Sequence, residues 1–287
     1  MLSFIRGGLE DFSISRSNAR AKNWGIPVPN DDKQMMYVWF DALSNYINAL
    51  GYADDSENFK KYWENAETMH VIGKGINRFH TIYWPAMLLS AGVPLPKKVM
   101  VHGYITRGGQ KMSKSVGNVI DPVEVINEFG TDAVRYALLR HIPTFEDGDF
   151  TMEKMKEIYN ADLVNGLGNL LSRVMKMAVT YDVKSNLVVA RDSLNIQEKM
   201  NKLEIKSTLD DIWTEISLLD VFIQKEEPFK KIKTDPDQAK TDLQFVMQKL
   251  QVSVIKLQPF MPETSAKILE CIRENKMPET PLFPRKS

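Results

Sequence analysis

Short apolar runs and helix-period stretches alternate over the first hundred residues. "MYVWF" (36–40), "MHVIG" (69–73) and "KVMVHGYI" (98–105) are rich in β-formers and read as strands. Between them, "ALSNYINALGY" (42–52) and "INRFHTIYWPAMLLSAG" (76–92) carry apolar residues at helical spacing, the second ending in Gly92. Strand–helix–strand–helix–strand predicts three βαβ-connected parallel strands, half of a Rossmann-like doubly wound sheet. Residues 1–35 read as loop. After residue 120 the period becomes helical. Asp121 is placed to cap a helix that opens on Pro122 and closes at Gly130, and Thr131-Asp132 starts another. The later pattern predicts helices over 152–181, 193–204, 207–226, 236–258 and 263–274, punctuated by Pro228, Pro236, Pro259 and Pro262. The fold class is therefore α/β plus all-α: half a parallel sheet over 1–148, then an antiparallel helix bundle over 149–287.

Composition narrows the partners. Of 287 residues, 43% are hydrophobic and 26% charged, as in an ordinary folded protein. No apolar run is long enough to span a bilayer, so no membrane partner is expected. Lys+Arg and Asp+Glu both total 37, which counts against coating nucleic acid by charge alone but leaves room for local basic patches. The one cysteine, Cys271, excludes an internal disulfide framework and any cysteine-cluster zinc site; no metal ligands are expected, and a cytoplasmic setting fits.

The candidate chemistry lies in "RGGQKMSKSVGNVIDP" (107–122), just after the third predicted strand. Gly108 and Gly109 give the backbone freedom, and Lys111 and Lys114 are point charges able to reach phosphate oxygens. Cations there stabilise the charge that shifts onto bridging oxygens in nucleotidyl transfer. A mobile loop can close on a triphosphate and then release pyrophosphate.

Lys111-Met112-Ser113-Lys114-Ser115 resembles the signature loop of class I aminoacyl-tRNA synthetases. "YVWFDALSNYINAL" (37–50) and "VIGKGINRFHTIYWPAML" (71–88), with "GLEDFSISR" (8–16) and "WGIPVP" (24–29), resemble the methionine family among them. The resemblance implies ATP-dependent activation of methionine and its transfer to methionine tRNA, with Mg2+ accompanying ATP. It implies an ATP site at Lys111, Met112, Ser113, Lys114, Ser115, His102 and Gly103, the two lysines being catalytic. It implies a methionine pocket at Trp39, Ala42, Leu43, Tyr46, Ile76 and His80. Aromatic surface suits a thioether, and Tyr46 and His80 supply the few polar groups. Taken alone, Trp39 and Tyr46 read as core aromatics and His80 as a structural histidine. Gly75 stands where the family has an aspartate.

In "ADLVNGLGNLLSRVMKMA" (161–178), Asn165, Asn169 and Arg173 recur every fourth residue on a polar stripe. The resemblance makes Asn169 and Arg173 anticodon contacts, with Phe229 as a base-stacking ring where the family has tryptophan. The family's second signature, His-Ile-Gly-His, has no counterpart here. The chain therefore reads as the carboxyl-terminal part of such an enzyme, and a complementing amino-terminal fragment is an expected partner. The alternative readings are a catalytically inactive tRNA-binding module or one piece of a split synthetase.

Overall fold

The computed structural model describes residues 1–185 and 194–286. They form two compact units, Met1–His102 and Gly103–Ser287. The first opens with a short helix, α1 (Leu2–Arg6), and a three-stranded antiparallel sheet in the order β1-β3-β2. Its strands are β1 (Ser15–Ser17), β2 (Pro27–Val28) and β3 (Asp31–Met36), with helix α2 (Asn18–Ala21) between the first two. This segment was expected to be loop. Its strands are too short, and too thinly apolar, to announce themselves by alternation.

The expected strand over 36–40 is not one. β3 ends at Met36, Tyr37 takes the N-cap position, and α3 runs Val38–Asn48. The reason is packing. Leu43 and Ile47 are buried four residues apart, with Trp39 packed against the same core, and that spacing overrides the β propensity of the run. α4 (Glu57–Phe59) continues into a π-helical turn over Lys60–Glu64. β4 (Met69–Gly73) follows and pairs in parallel with β5 (Lys98–His102), Met69 opposite Lys98 and Gly73 opposite His102. The parallel sheet among the described residues thus has two strands, not three. The predicted helix 76–92 is composite: a 3-10 turn at Lys74–Ile76, a π-helical turn at Phe79–Tyr83, then α5 (Trp84–Ala91), closed by Gly92 in the left-handed region as expected.

The predicted strand 98–105 breaks after His102. A Cβ on Gly103 would lie 1.9 Å from the Glu146 carbonyl oxygen, so the chain passes that point only as glycine. β6 (Ile105–Arg107) then pairs antiparallel with β7 (Gln110–Lys111) and in parallel with β8 (Gly148–Asp149). Between β6 and β8 lie α6 (Pro122–Phe129) and α7 (Thr131–Tyr136), the latter running into a π-helical turn at Ala137–His141. The expected cap of α6 is present: Asp121 Oδ1 accepts from Val123 N at 2.8 Å.

The rest of this unit is a helical bundle on one core. The expected helix 152–181 is α8 (Met152–Ile158), a ten-residue π-helical stretch (Tyr159–Gly168) and α9 (Asn169–Thr180). α10 (Leu194–Asn201), α11 (Ile205–Glu226), α12 (Pro228–Lys231), α13 (Pro236–Leu257) and α14 (Pro262–Glu274) complete it. Residue 193, where one helix was expected to begin, lies outside the described residues. Leu243, Val246, Met247, Leu250 and Val254 line one face of α13 at three- and four-residue spacing and are fully buried. Asp132 Oδ2 accepts from Thr264 N at 2.6 Å, tying α7 to the start of α14.

Candidate active site and RNA-facing helix

The residues expected to form an amino-acid pocket lie on α3 and on the turns before α5. Tyr46 and Trp39 stand seven apart on α3, two helical turns, and Ala42 lies exposed between them. Trp39 stacks on Phe79, ring centroids 4.2 Å apart, and meets His80 edge-on at 6.3 Å. His80 is 1% exposed, and both its ring nitrogens are engaged. Its Nδ1 lies 3.0 Å from the Ile76 carbonyl oxygen, which only accepts, so Nδ1 carries the proton. In the neutral ring Nε2 is then an acceptor, and the Tyr46 hydroxyl donates to it at 2.9 Å. With its proton committed, that hydroxyl offers only lone pairs. Leu43 is sealed in the core with Ile47, Trp63, Trp84 and Leu88, so it supports the cluster from beneath.

The signature loop carries its own hydrogen bonds. Gly108 and Gly109, at φ +60° and +73°, are the two central residues of the β6–β7 hairpin, the combination a type I′ turn needs. Asp149 Oδ1 accepts from Gly109 N at 2.9 Å and Thr106 Oγ1 at 3.0 Å; the Gly109 bond foremost holds this carboxyl below the usual carboxylate range. Beyond the hairpin, Asn118 pins the turn: its Oδ1 accepts from Ser113 N at 2.8 Å and its Nδ2 donates to the Lys111 carbonyl at 3.2 Å. Ser113 and Ser115 hydroxyls bond each other at 2.8 Å. Met112 is half-buried. Lys111 stands on β7 with its ammonium 4.9 Å from the Tyr104 ring centroid. Lys114 opens a 3-10 turn, exposed. His102 ends β5, and Gly103 N donates to the Thr144 carbonyl at 3.3 Å.

In the bundle, Asn169 is exposed at the start of α9 and Arg173 follows one turn on. Arg173 is ion-paired to Asp220 of α11, which also accepts from Gln224 at 2.7 Å. Asn165 accepts from Arg285. Phe229 is 40% exposed on α12, with the Lys230 ammonium 5.9 Å from its ring centroid.

Comparison with known proteins decides the family. The model for "tRNA synthetases class I (M)" matches residues 1–175, and that for "Anticodon binding domain of methionyl tRNA ligase" matches 183–281. The chain belongs to the methionyl-tRNA synthetase family. The methionine–tRNA ligase of Rickettsia bellii is 40% identical over 96% of this chain and 56% of its own length. That of Caldanaerobacter subterraneus is 42% identical over 94% of this chain and 44% of its own. A Mycobacterium tuberculosis methionyl-tRNA synthetase structure, in complex with methionyl-adenylate, matches with a TM-score of 0.85 and 34% identity over 99% of this chain and 62% of that one. The chain thus spans about half the length of the curated relatives it matches.

Within this family frame the structure adds a residue that sequence reasoning passed over. His70 is buried on β4, accepts from Trp84 Nε1 at 3.1 Å, and stands 4.4 Å from the Tyr46 ring and 5.6 Å from that of His80. The signal was the alternation of "MHVIG", which points His70 and Ile72 to the same buried face. Burial, with His80 nearby, lowers its pKa to about 4. The unfolded chain therefore binds this proton first as pH falls. The stabilisation is full above the ordinary histidine value and is lost between about pH 6.5 and 4. Unfolding free energy is expected to drop by about 1–2 kcal/mol from pH 7 to pH 5 on this account. His70→Gln, which keeps an acceptor for Trp84, is expected to flatten that part of the pH profile in urea titrations.

Proposed function

We propose that the chain carries the second half of a methionine–tRNA ligase catalytic domain over 1–148, and its anticodon-reading bundle over 149–287. In the complete enzyme, methionine and ATP form methionyl-adenylate with release of pyrophosphate, and methionine then passes to a ribose hydroxyl at the tRNA end. The observation that carries this reading is the hydrogen-bonded chain Tyr46–His80–Ile76 beside the Trp39–Phe79 stack, within a chain of this family. Aromatic faces with few polar groups favour a thioether over an isostere that needs hydrogen bonds. Trp39, Ala42, Tyr46, Ile76 and His80 are read as the residues that receive the methionine side chain, with Leu43 behind them. The methionyl-adenylate bound in the Mycobacterium relative supports the same chemistry.

For the nucleotide, Lys111 and Lys114 neutralise phosphate charge, Ser113 and Ser115 donate hydrogen bonds, and His102 and Gly103 border the adenosine. Mg2+ accompanies the triphosphate oxygens, as such ions commonly do with substrate phosphates. Asn169, Arg173 and Phe229 meet anticodon bases by amide, guanidinium and ring face. The β4–β5 pair belongs to a larger Rossmann-like parallel sheet, and Val71, 58% exposed on β4, marks a face open to a complementing fragment. A cytoplasmic location fits, and no described helix is long and apolar enough to cross a membrane.

Methionine-dependent ATP–pyrophosphate exchange tests the reading, measured on the chain alone and with the amino-terminal part of a relative added. Exchange is expected with the added part. Tyr46→Phe is expected to raise KM for methionine about three- to tenfold, leaving KM for ATP unchanged. If exchange is absent in both mixtures while tRNA still binds, the catalytic reading fails and a tRNA-binding module takes its place.

A further inference from the structure

Helix α11 carries two apolar stripes where the bundle needs one. Leu209, Ile212, Ile216, Leu219 and Ile223 are buried in the core. At about 100° per residue, Leu218 and Val221 project from the other side of the helix, 59% and 57% exposed. Phe222, half-buried beside them, meets Phe245 of α13, 42% exposed, at 5.0 Å between ring centroids. A second contact fixes how the two helices run. Ser253 of α13 donates to Glu215 of α11 at 2.9 Å, so the helices are antiparallel and Lys249 lies level with Leu218. The result is one apolar strip along the outer α11–α13 groove, adding nothing to the core beneath it.

The uncommitted charges around the strip have one sign. Lys249 holds its ammonium 5.8 Å from the Phe245 ring centroid and has no ion pair among the described residues. Lys225, one turn beyond Val221, has a side chain 80% exposed, and its ion partner among the described residues is the adjacent Glu226, at 3.9 Å. The carboxylates within a turn of the strip are engaged by other cations: Glu215 by Lys256, Asp220 by Arg173, Glu227 by Lys230, and Glu226 and Asp242 by Lys231. The two available ammonium groups stand at opposite ends of the strip, about 10 Å apart along the helix axes.

This chemistry selects the partner. An amphipathic helix laid in the groove buries its apolar face on Leu218, Val221, Phe222 and Phe245. Carboxylates two turns apart on its flanks then reach Lys225 and Lys249. A second copy of the chain would set its own two lysines against these, like charge on like. Single-stranded RNA binds by stacking bases on rings, and Leu218 and Val221 offer none.

We propose that the α11–α13 groove docks an acidic amphipathic helix of a partner protein. None of the groove's residues has a part in the tRNA-charging reading given above, so the two stand or fall separately. The probe is a fluorescein-labelled helical peptide of about eighteen residues, with leucine at three- and four-residue spacing and glutamate on both flanks. It is titrated into the full chain and followed by anisotropy, beside a twin that carries lysine for every glutamate. The glutamate peptide is expected to bind with a Kd on the order of 10 μM, and the lysine twin about tenfold more weakly or worse. Leu218→Ser and Phe245→Ser are each expected to weaken the glutamate peptide about tenfold. Lys225→Glu combined with Lys249→Glu is expected to invert the preference, so that the lysine twin binds better. All four positions are exposed, so thermal unfolding of the variants is expected to match the parent. The proposal is overturned if the parent binds the two peptides alike or binds neither, or if the charge-reversed variant keeps the parent's preference. It is also overturned if Leu218→Ser leaves the peptide bound but abolishes self-association in sedimentation velocity, or binding of a uridine oligomer; the face would then belong to a second copy or to RNA.

Discussion

Lys114→Ala is expected to slow methionine-dependent ATP–pyrophosphate exchange by a factor of about 10²–10³ while leaving the fold's stability unchanged. The two halves of that expectation have separate causes. Lys114 is exposed and its side chain makes no hydrogen bond or ion pair among the described residues, while its carbonyl, which accepts from Gly117 N, is kept in the variant. Its charge is free for a ligand, and charge developing on phosphate oxygens in the transition state is where a fixed cation matters most. Lys114→Arg keeps the charge but replaces a compact ammonium by a planar fork, so partial recovery is expected. A Lys114→Ala variant with full exchange activity would remove this side chain from the chemistry.

The second large effect concerns the bundle. Asp162→Ala is expected to lower unfolding free energy by about 3 kcal/mol, a fall of roughly 6–12 °C in Tm for a unit of this size. Asp162 Oδ2 accepts from the Tyr136 hydroxyl at 2.6 Å, Arg140 Nη1 at 3.0 Å and His141 Nε2 at 2.9 Å. Arg140 also donates through Nε to Asp210 at 3.0 Å and lies over Trp213, which packs on Tyr136 at 4.2 Å. Burial works to raise the Asp162 pKa, but the hydrogen bonds from His141 and Tyr136, with Arg140, outweigh it and hold the carboxyl low. The stabilisation is therefore present above the ordinary aspartate range and fades as pH falls through the depressed folded value. Truncation leaves a buried tyrosine hydroxyl and a part-buried guanidinium short of an acceptor. Asp162→Asn keeps an oxygen and is expected to cost about half as much. Denaturant titration followed by Trp213 fluorescence measures both, and equal midpoints for Asp162→Ala and the parent would contradict the network's role.

What the sequence made legible follows from length and period. β4 and β5, the Asp121 cap, the Gly92 stop and the long bundle helices were readable because each repeats a signal over many residues or uses a residue with one conformational meaning. The run 36–40 was misread because five β-forming residues say less than the burial of Leu43 and Ile47 beyond them. The π-helical turns at Phe79–Tyr83 and Tyr159–Gly168 leave no mark in a 3.6-residue pattern, since they shift it by one residue within a helix that continues. His80 and Asn165 each sit in one of these turns. Of the pocket, Tyr46 and His80 were named from resemblance alone. Their shared hydrogen bond joins residues 34 apart in sequence, beyond any spacing rule.

The hairpin at Gly108–Gly109 gives the two signature cations unequal freedom. Lys111 is a rung of a ladder, held by its backbone pairing with Thr106 and resting on a ring. Lys114 lies past the last rung, on a turn held by the Asn118 amide, the Ser113–Ser115 hydroxyl bond and two backbone bonds. Half-buried Met112 thus separates a lysine fixed by strand pairing from one whose side chain makes no hydrogen bond or ion pair among the described residues.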